Sequence, residues 1–539
     1  MSFLYKRKGI KKYKNEGDVS FMKKKSLLGG TLSCLCVGTF FCTYHPTKTW
    51  AAENWDPIRN NSMNSYFYAV SPTAQDMNSP AMLTLDSFKP DFIHDRIGAE
   101  KWAEAYFKKW NNSLPSEQIK AIEELKNPAS EDYHINDTLK FTNGDVNNRP
   151  VDAEFSEKTE RYKRDIAAID KALSNKAGKT SNKMYVYKDM DVFDLNEMLT
   201  EQLIDPTHPN KIDMEKLKVF KNNFTYGISS DYFIVNLSER EGGNDGHLKW
   251  RIELPAGTNT GHLDGDRLVL QRNTGLEINN VTVINQKGKE YIRIQAKLVI
   301  KDKIDERIQT KQSDLNKSWN AALGLPDGTE FIKFEVNDRY ASNVIEGAGS
   351  IIHEMTSNVP NNVVKKIIDF MLAKNGKFIF TDNYLRNIAE VYAPRTPTSD
   401  VLERFQAIKG IYNEQNRTLI MKGPSHSIDG GYGMNAGTLT HEFGHALDYY
   451  IGHIIGLSEN SGVSNMAPFK ELFNKEGNNL TEYGKTNEQE FFADTFMMMH
   501  SSNYEERAEA QEKAPETVKF IGGLIKEINA SSPSILAKK

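Results

Sequence analysis

Five consecutive residues, His441-Glu442-Phe443-Gly444-His445, restrict what this chain can fold into more than any other feature. They lie within residues 438–451, where Leu439, Phe443, Ala446, Leu447 and Tyr450 recur at the spacing of an amphipathic helix. Two histidines four apart on a helix project from the same side, one turn apart, and suit two corners of a tetrahedral zinc site. Glu442 lies beside them as a candidate base. Zinc needs a third protein ligand, which leaves the fourth position for water.

The downstream segment LTEYGKTNEQEFFADTFMMMH supplies candidates for that ligand. Thr486 with Gln489 reads as a capping box that starts a helix. Glu490 then falls in the first turn and Asp494 one turn later on the same face. One member of this carboxylate pair can bind metal while the other holds a histidine by its second ring nitrogen. Spacing alone does not say which histidine. Taken by themselves these acids read as a solvated helix face; beside HEFGH the metal reading prevails.

The rest of the composition excludes other classes. With 68 Lys and Arg against 72 Asp and Glu, the 539-residue chain has a formal net charge of −4, which argues against a nucleic-acid binder. A hydrophobic share of 39% and a mean hydropathy of −0.58 describe an ordinary folded chain, not a polytopic membrane protein.

Residues 26–44 form one apolar run, preceded by Lys23, Lys24 and Lys25 and followed by Trp50-Ala51-Ala52-Glu53. This reads as a secretory signal peptide, not a stable membrane anchor, with Thr49 and Ala51 ahead of the cut and Ala52 as the mature start. Met22 is the expected true start, residues 1–21 being a basic extension. All three cysteines, Cys34, Cys36 and Cys42, lie in this run, so the mature chain has no thiols and rests on its core. Residues 1–51 carry ten basic and two acidic residues, so their removal deepens the net charge to −12.

The mature chain changes texture twice. Residues 95–127 predict two amphipathic helices, with Trp102, Ala105, Tyr106 and Trp110 on one face of the first, and residues 159–175 a third. From residue 184 to 300 short β-rich runs alternate with turns, predicting a mostly antiparallel sheet. A charged helical stretch from residue 301 to 320 leads into a region of interleaved strands and helices. The strand-like run at residues 417–421, followed by GPSHSIDGGYG, is the expected edge strand on which a substrate lies extended.

Several stretches, HEFGHALDYY, NNLTEYGKTNEQEFFADTFMMMHS and ERAEAQEKAPETVKFI, closely resemble the catalytic domain of the anthrax lethal factor family, zinc endopeptidases secreted as bacterial toxin components. The resemblance extends upstream to about residue 155 through LKWRIELPAGTNTGHLDGDRLVLQRNTGLEI and WNAALGLPDGT. It implies a Zn2+ cofactor held by His441, His445 and Glu490, with Glu442 as the catalytic base that activates a water. It further implies that Tyr483 binds the developing oxyanion or protonates the leaving amine.

Residues 95–300 resemble ADP-ribosyltransferases of the binary-toxin type through WAEAYFKKWNNSLPSEQIKAIEELK, YHINDTLK and MYVYK. The active-site pattern is broken: Lys188 stands at the arginine position, Ile228-Ser229-Ser230 is a fragment of the serine motif, and Gly265-Asp266-Arg267 replaces the Glu-x-Glu pair. A guanidinium cannot stabilise an oxocarbenium-like centre. The expected fold class is therefore α+β, a degenerate ADP-ribosyltransferase-like domain followed by a zincin-type metalloprotease domain. The expected divisions are residues 1–51 (extension and signal), 52–94 (linker), 95–302 (inactive transferase-like domain, a docking wall) and 303–539 (protease). Residues 52–94 are too few for the family's carrier-binding N-terminal domain, and the helical repeats of its middle domain are not seen.

The expected function is that of a secreted, extracellular, monomeric zinc endopeptidase acting on protein or peptide substrates. The family's substrates, host mitogen-activated protein kinase kinases, are one class; surface proteins cut at proline sites are the alternative. ADP-ribosyl transfer is the other enzyme class weighed, and Arg267 argues against it.

Overall fold

The computed structural model describes residues 91–529 except 127–134, 143, 148–155, 191–202, 206, 241–246, 393–407 and 424–433. The signal run, the cleavage site at Ala51 and Ala52, the linker and most of the GPSHSIDGGYG loop lie outside the described residues. Among the described residues, no helix is long and apolar enough to cross a membrane.

Helices α1 (Arg96–Ser113), α2 (Ser116–Lys126), α3 (Ile135–Phe141) and α4 (Ser156–Leu173) precede the first strand, in keeping with the three amphipathic patterns of this region. Asp95 caps α1 by accepting the Gly98 N–H, and Phe107 and Trp110 lie fully buried on its inner face. The strands β1 (Met184–Met190), β4 (Tyr226–Ser229), β5 (Phe233–Asn236), β6 (Leu248–Leu254), β7 (Thr260–Asp264), β8 (Arg267–Leu270), β9 (Thr274–Gln286) and β10 (Lys289–Ile300) form one sheet. Its order is β4-β9-β10-β6-β1-β5-β8-β7, antiparallel throughout except for β6 with β10. The two long strands β9 and β10 are joined at Lys287-Gly288, both at positive φ, the backbone that a two-residue hairpin turn requires. A small β2 (Ile204–Asp205)–β3 (His208–Ile212) ribbon and α5 (Met214–Asn223) lie between β1 and β4.

The second half begins with α6 (Lys301–Leu323), which follows β10 without a loop and ends at Gly324 in the left-handed conformation. Strands β11 (Ile332–Glu335), β12 (Phe378–Thr381), β13 (Gly410–Asn413) and β14 (Thr418–Lys422) form a sheet in the order β11-β12-β14-β13. Its first three strands are parallel, and helices α7 (Ala341–Asn358) and α8 (Asn361–Leu372) form the crossover between β11 and β12. The short α9 (Ala389–Tyr392) precedes β13. The remaining helices are α10 (Ala436–Ile454), α11 (Ala467–Glu476), α12 (Glu488–Met499), α13 (Tyr504–Lys513) and α14 (Pro515–Asn529).

One expectation is overturned here. The run at residues 417–421 does form a strand, but β14 is interior, hydrogen-bonded to β12 on one side and β13 on the other. The edges among the described residues are β11 and, beside β14, β13, whose four residues Gly-Ile-Tyr-Asn are too short to show a pattern of alternation.

The two sheets are cross-keyed. Tyr226 and Ile228, on edge strand β4 of the larger sheet, belong to the apolar core of the second half, while Tyr340 just ahead of α7 belongs to that of the first. The free edge of β4 is closed by this segment: Ile228 N–H donates to Asp338 O at 2.9 Å, and Ser342 Oγ accepts the Thr225 and Tyr226 N–H groups at 3.0 and 3.3 Å. The approach needs Gly227, whose Cβ would lie 2.0 Å from Arg339 O.

Candidate metal centre

The HEFGH segment lies where its periodicity puts it, inside α10, capped by Asn435, which accepts the Thr438 N–H at 2.8 Å. Leu439, Phe443, Ala446 and Leu447 are fully buried on the inner face. Gly444 has a packing reason. A glycine in mid-helix costs about 1 kcal/mol relative to alanine, yet a Cβ here would meet Ala493 Cα of α12 at 3.0 Å and Phe496 Cδ1 at 3.2 Å. The small pair Gly444 and Ala493 lets the two helices approach closely enough for their polar faces to meet.

Helix α12 starts one residue later than the expected capping box. Asn487, not Thr486, is its cap and accepts the Gln489 and Glu490 N–H groups at 3.0 Å each; Thr486 Oγ1 instead donates to Tyr483 O at 2.7 Å. Both side chains are competent caps, and the backbone turn at Tyr483 engages the threonine. Glu490 still falls in the first turn with Asp494 below it.

The two helices bring His441, His445 and Glu490 together. His441 Nε2 lies 3.1 Å from Glu490 Oε2, His445 Nε2 lies 3.2 Å from the same oxygen, and the two Nε2 atoms are 3.2 Å apart. Zinc bonds of about 2.0–2.1 Å in tetrahedral geometry place adjacent donors about 3.3 Å apart, so this triangle fits one face of a zinc site. Two imidazoles and a carboxylate are also the donor set such a site takes, and these are the atoms that cluster as possible metal ligands among the described residues.

Asp494 selects the histidine that spacing could not: its Oδ1 accepts from His441 Nδ1 at 2.7 Å, directing Nε2 at the cluster. Burial alone lowers the imidazolium pKa of His441, but the bonds to Asp494 and Glu490 outweigh it and hold the value above the ordinary one. Burial raises the Glu490 carboxyl, yet the two histidines pull it below its usual range.

Glu442 is buried beside these three residues. Burial pushes its carboxyl up, the neighbouring His445 and His441 pull it back, and the Tyr412 N–H of β13 donates to it. Gly410, two residues earlier on the same strand, leaves the room: a Cβ there would lie 3.1 Å from Glu442 Oε1. Tyr483 packs its ring 5.6 Å from that of His441. Burial, together with the charges of Glu490 and Glu442, raises its hydroxyl to about 12, so it stays protonated at neutral pH. Farther along α10, Asp448 is buried and accepts the Ser464 N–H and Oγ–H at 2.8 and 2.6 Å, pinning the following loop to the helix. Gly410, Tyr412 and Asp448 have no motif that reveals them.

In the first half, Lys188 lies on β1 and Arg267 on β8, where Arg267 is paired with Asp264. Ser229 Oγ donates to Asp231 Oδ1 at 3.2 Å, and Asp231 is itself committed to Arg339.

Two family profiles match the chain: anthrax toxin lethal factor, middle domain, over residues 105–299, and anthrax toxin lethal factor, N- and C-terminal domain, over residues 307–524. Lethal factor of Bacillus anthracis is 42% identical over 397 residues, 74% of this chain and 48% of that protein, so the chain spans about half the length of this curated relative. Solved structures that align include Plx2a, an ADP-ribosyltransferase toxin from Paenibacillus larvae, at 22% identity, 39% of this chain, 98% of that chain and a TM-score of 0.32. The ADP-ribosylating toxin BECa of a C. perfringens binary enterotoxin aligns at 16% identity, 60% of this chain, 69% of that chain and a TM-score of 0.35. The middle-domain match falls on the eight-stranded sheet and its helices, and the second match on the zincin-type half that holds the histidine–glutamate cluster. The chain belongs to the anthrax lethal factor family.

Proposed function

We propose that the protein is a secreted zinc endopeptidase of the lethal-factor type, with His441, His445 and Glu490 as metal ligands. The observation that carries this reading is the triangle of donor atoms 3.1–3.2 Å apart with a buried glutamate beside it. Zinc held there supplies Lewis-acid polarisation of the peptide carbonyl and a lowered pKa for the attacking water. Glu442, its carboxyl raised by burial, takes the proton from that water and returns it to the departing nitrogen. Tyr483, protonated at neutral pH, donates to the tetrahedral oxyanion. Asp494 holds the ring of His441 in place throughout. An extended substrate lies along β13, beside the base.

The first half, residues 95–302, is read as a transferase-like domain without transferase chemistry, because Arg267 brings a fixed positive charge where a glutamate is required. It serves as a docking wall for the substrate. The signal run at residues 26–44 carries the chain out of the cell.

The test is zinc content and cleavage of a diversified peptide library by residues 52–539, beside a Glu442→Gln variant. One stoichiometric zinc in both, with cleavage in the unmodified protein alone, supports the reading. Absence of zinc binding refutes the ligand assignment. Aligned cleavage sites then separate basic-hydrophobic sites of the kinase-kinase kind from proline-containing sites of surface proteins.

A further inference from the structure

The loop carrying Tyr483 is fastened to the carboxylate that orients His441, through a side chain the sequence patterns do not single out. Asp494 spends Oδ1 on His441, and its Oδ2 accepts a hydrogen bond from Thr481 Oγ1. The same Thr481 oxygen accepts the Gly484 N–H at 2.8 Å, and the Lys485 N–H reaches the Thr481 carbonyl at 3.3 Å. The hydroxyl is therefore used in both directions, as donor to a charge and as acceptor from the backbone. Gly484 makes this approach possible, since a Cβ there would lie 2.9 Å from Thr481 Oγ1 and 3.1 Å from Asp494 Oδ2.

The ring of Tyr483 lies at the rim of the cluster. It is 59% exposed although it faces the ring of His441 at 5.6 Å. Its hydroxyl meets Glu490, and the turn at residues 481–486 that carries it is joined to Asp494 through the side chain of Thr481.

We propose that Thr481 is a positioning residue for the reaction, placing the Tyr483 hydroxyl and the His441 ring in a common frame through the two oxygens of Asp494. The kinetic part rests on the peptidase reading; the loop tie stands on geometry alone. Thr481→Val keeps the shape and removes both bonds, while Thr481→Ser keeps the hydroxyl. In the full chain loaded with zinc, hydrogen exchange of residues 480–487 and peptide hydrolysis are followed for each variant, alone and combined with Tyr483→Phe.

Thr481→Val is expected to speed exchange at the Gly484 amide by about fivefold to tenfold, the worth of one hydrogen bond. It should lower kcat by about 10²-fold, the effect of a small misplacement, with KM and zinc stoichiometry unchanged. Thr481→Ser restores both readouts, and Thr481→Val adds no further loss once Tyr483 is phenylalanine. Unchanged exchange in Thr481→Val overturns the proposal, as does a loss of kcat that is the same with and without the tyrosine hydroxyl. Faster exchange in a chain that cleaves no peptide upholds the loop tie and overturns the peptidase reading.

Discussion

Arg339 and Asp231 form a 2.5 Å ion pair with both side chains withdrawn from water, and they join the eight-stranded sheet to the segment between β11 and α7. Asp231 lies between β4 and β5 of the larger sheet; Arg339 precedes α7 and stacks its guanidinium 4.2 Å over the ring of Phe233. With Tyr226 and Ile228 set into one core and Tyr340 into the other, neither half completes its interior alone.

Asp231→Ala leaves a guanidinium buried without its counter-charge, which costs about 3–5 kcal/mol. Because the cores are cross-keyed, the expected calorimetric trace is a single transition moved to lower temperature. Two resolved transitions of which only one moves would contradict the coupling.

Metal uptake should release a proton. In the metal-free chain His441 donates from both ring nitrogens and its pKa is raised, so at neutral pH it is an imidazolium. That charge contributes stability complete below the ordinary value of 6.5 and lost as pH rises through the raised one; lowered Glu490 contributes stability present above 4.5 and lost as pH falls through its depressed value. A zinc titration in weak buffer at pH 7 should therefore release about one proton from His441, with affinity tightening as pH rises. A pH-independent affinity between pH 6 and 8 would refute this.

Gly444→Ala forces a methyl group against Ala493 Cα, where the ideal separation is only 3.0 Å. The variant improves local helix propensity but spreads α10 from α12, and the triangle of donor atoms spans those two helices. Zinc affinity, read by competition with a chelator, should fall by about tenfold, roughly 1.4 kcal/mol, while helix content measured by circular dichroism stays unchanged.

Gly410→Ala places a methyl group 3.1 Å from both Glu442 Oε1 and Thr438 Cγ2. It touches Glu442 and none of His441, His445 and Glu490, so on the proposed roles bound zinc should remain stoichiometric while kcat drops by about tenfold or more. Loss of metal from this variant would show that the strand supports the ligands as well.

How much of this was legible beforehand depends on the range over which each signal acts. Helix α10 announces itself because its apolar period and its two histidines lie within one short segment. Glu490 and Asp494 were readable as a facing pair for the same reason, and their helix was found although its cap moved from Thr486 to Asn487. The choice of His441 as the partner of Asp494 was not readable, since it depends on the angle at which two helices cross. The position of residues 417–421 within their sheet is not a local property: β14 carries the stronger apolar run that an interior strand buries, whereas its neighbour at the edge, Gly410–Asn413, is short and begins with glycine. Thr481 carries no pattern at all; its importance arises from two bonds that the folded turn creates.

The hydrogen bond between Glu442 and the Tyr412 N–H gives β13 a second meaning. In an antiparallel strand the backbone groups of alternate residues face the open side, so Gly410 and Tyr412 share the side on which the glutamate sits. One of the sockets along that rail is already taken by Glu442. On the peptidase reading proposed above, a polypeptide laid against this edge would slide only until it met the glutamate, and that one contact would set both its register and the bond to be cut.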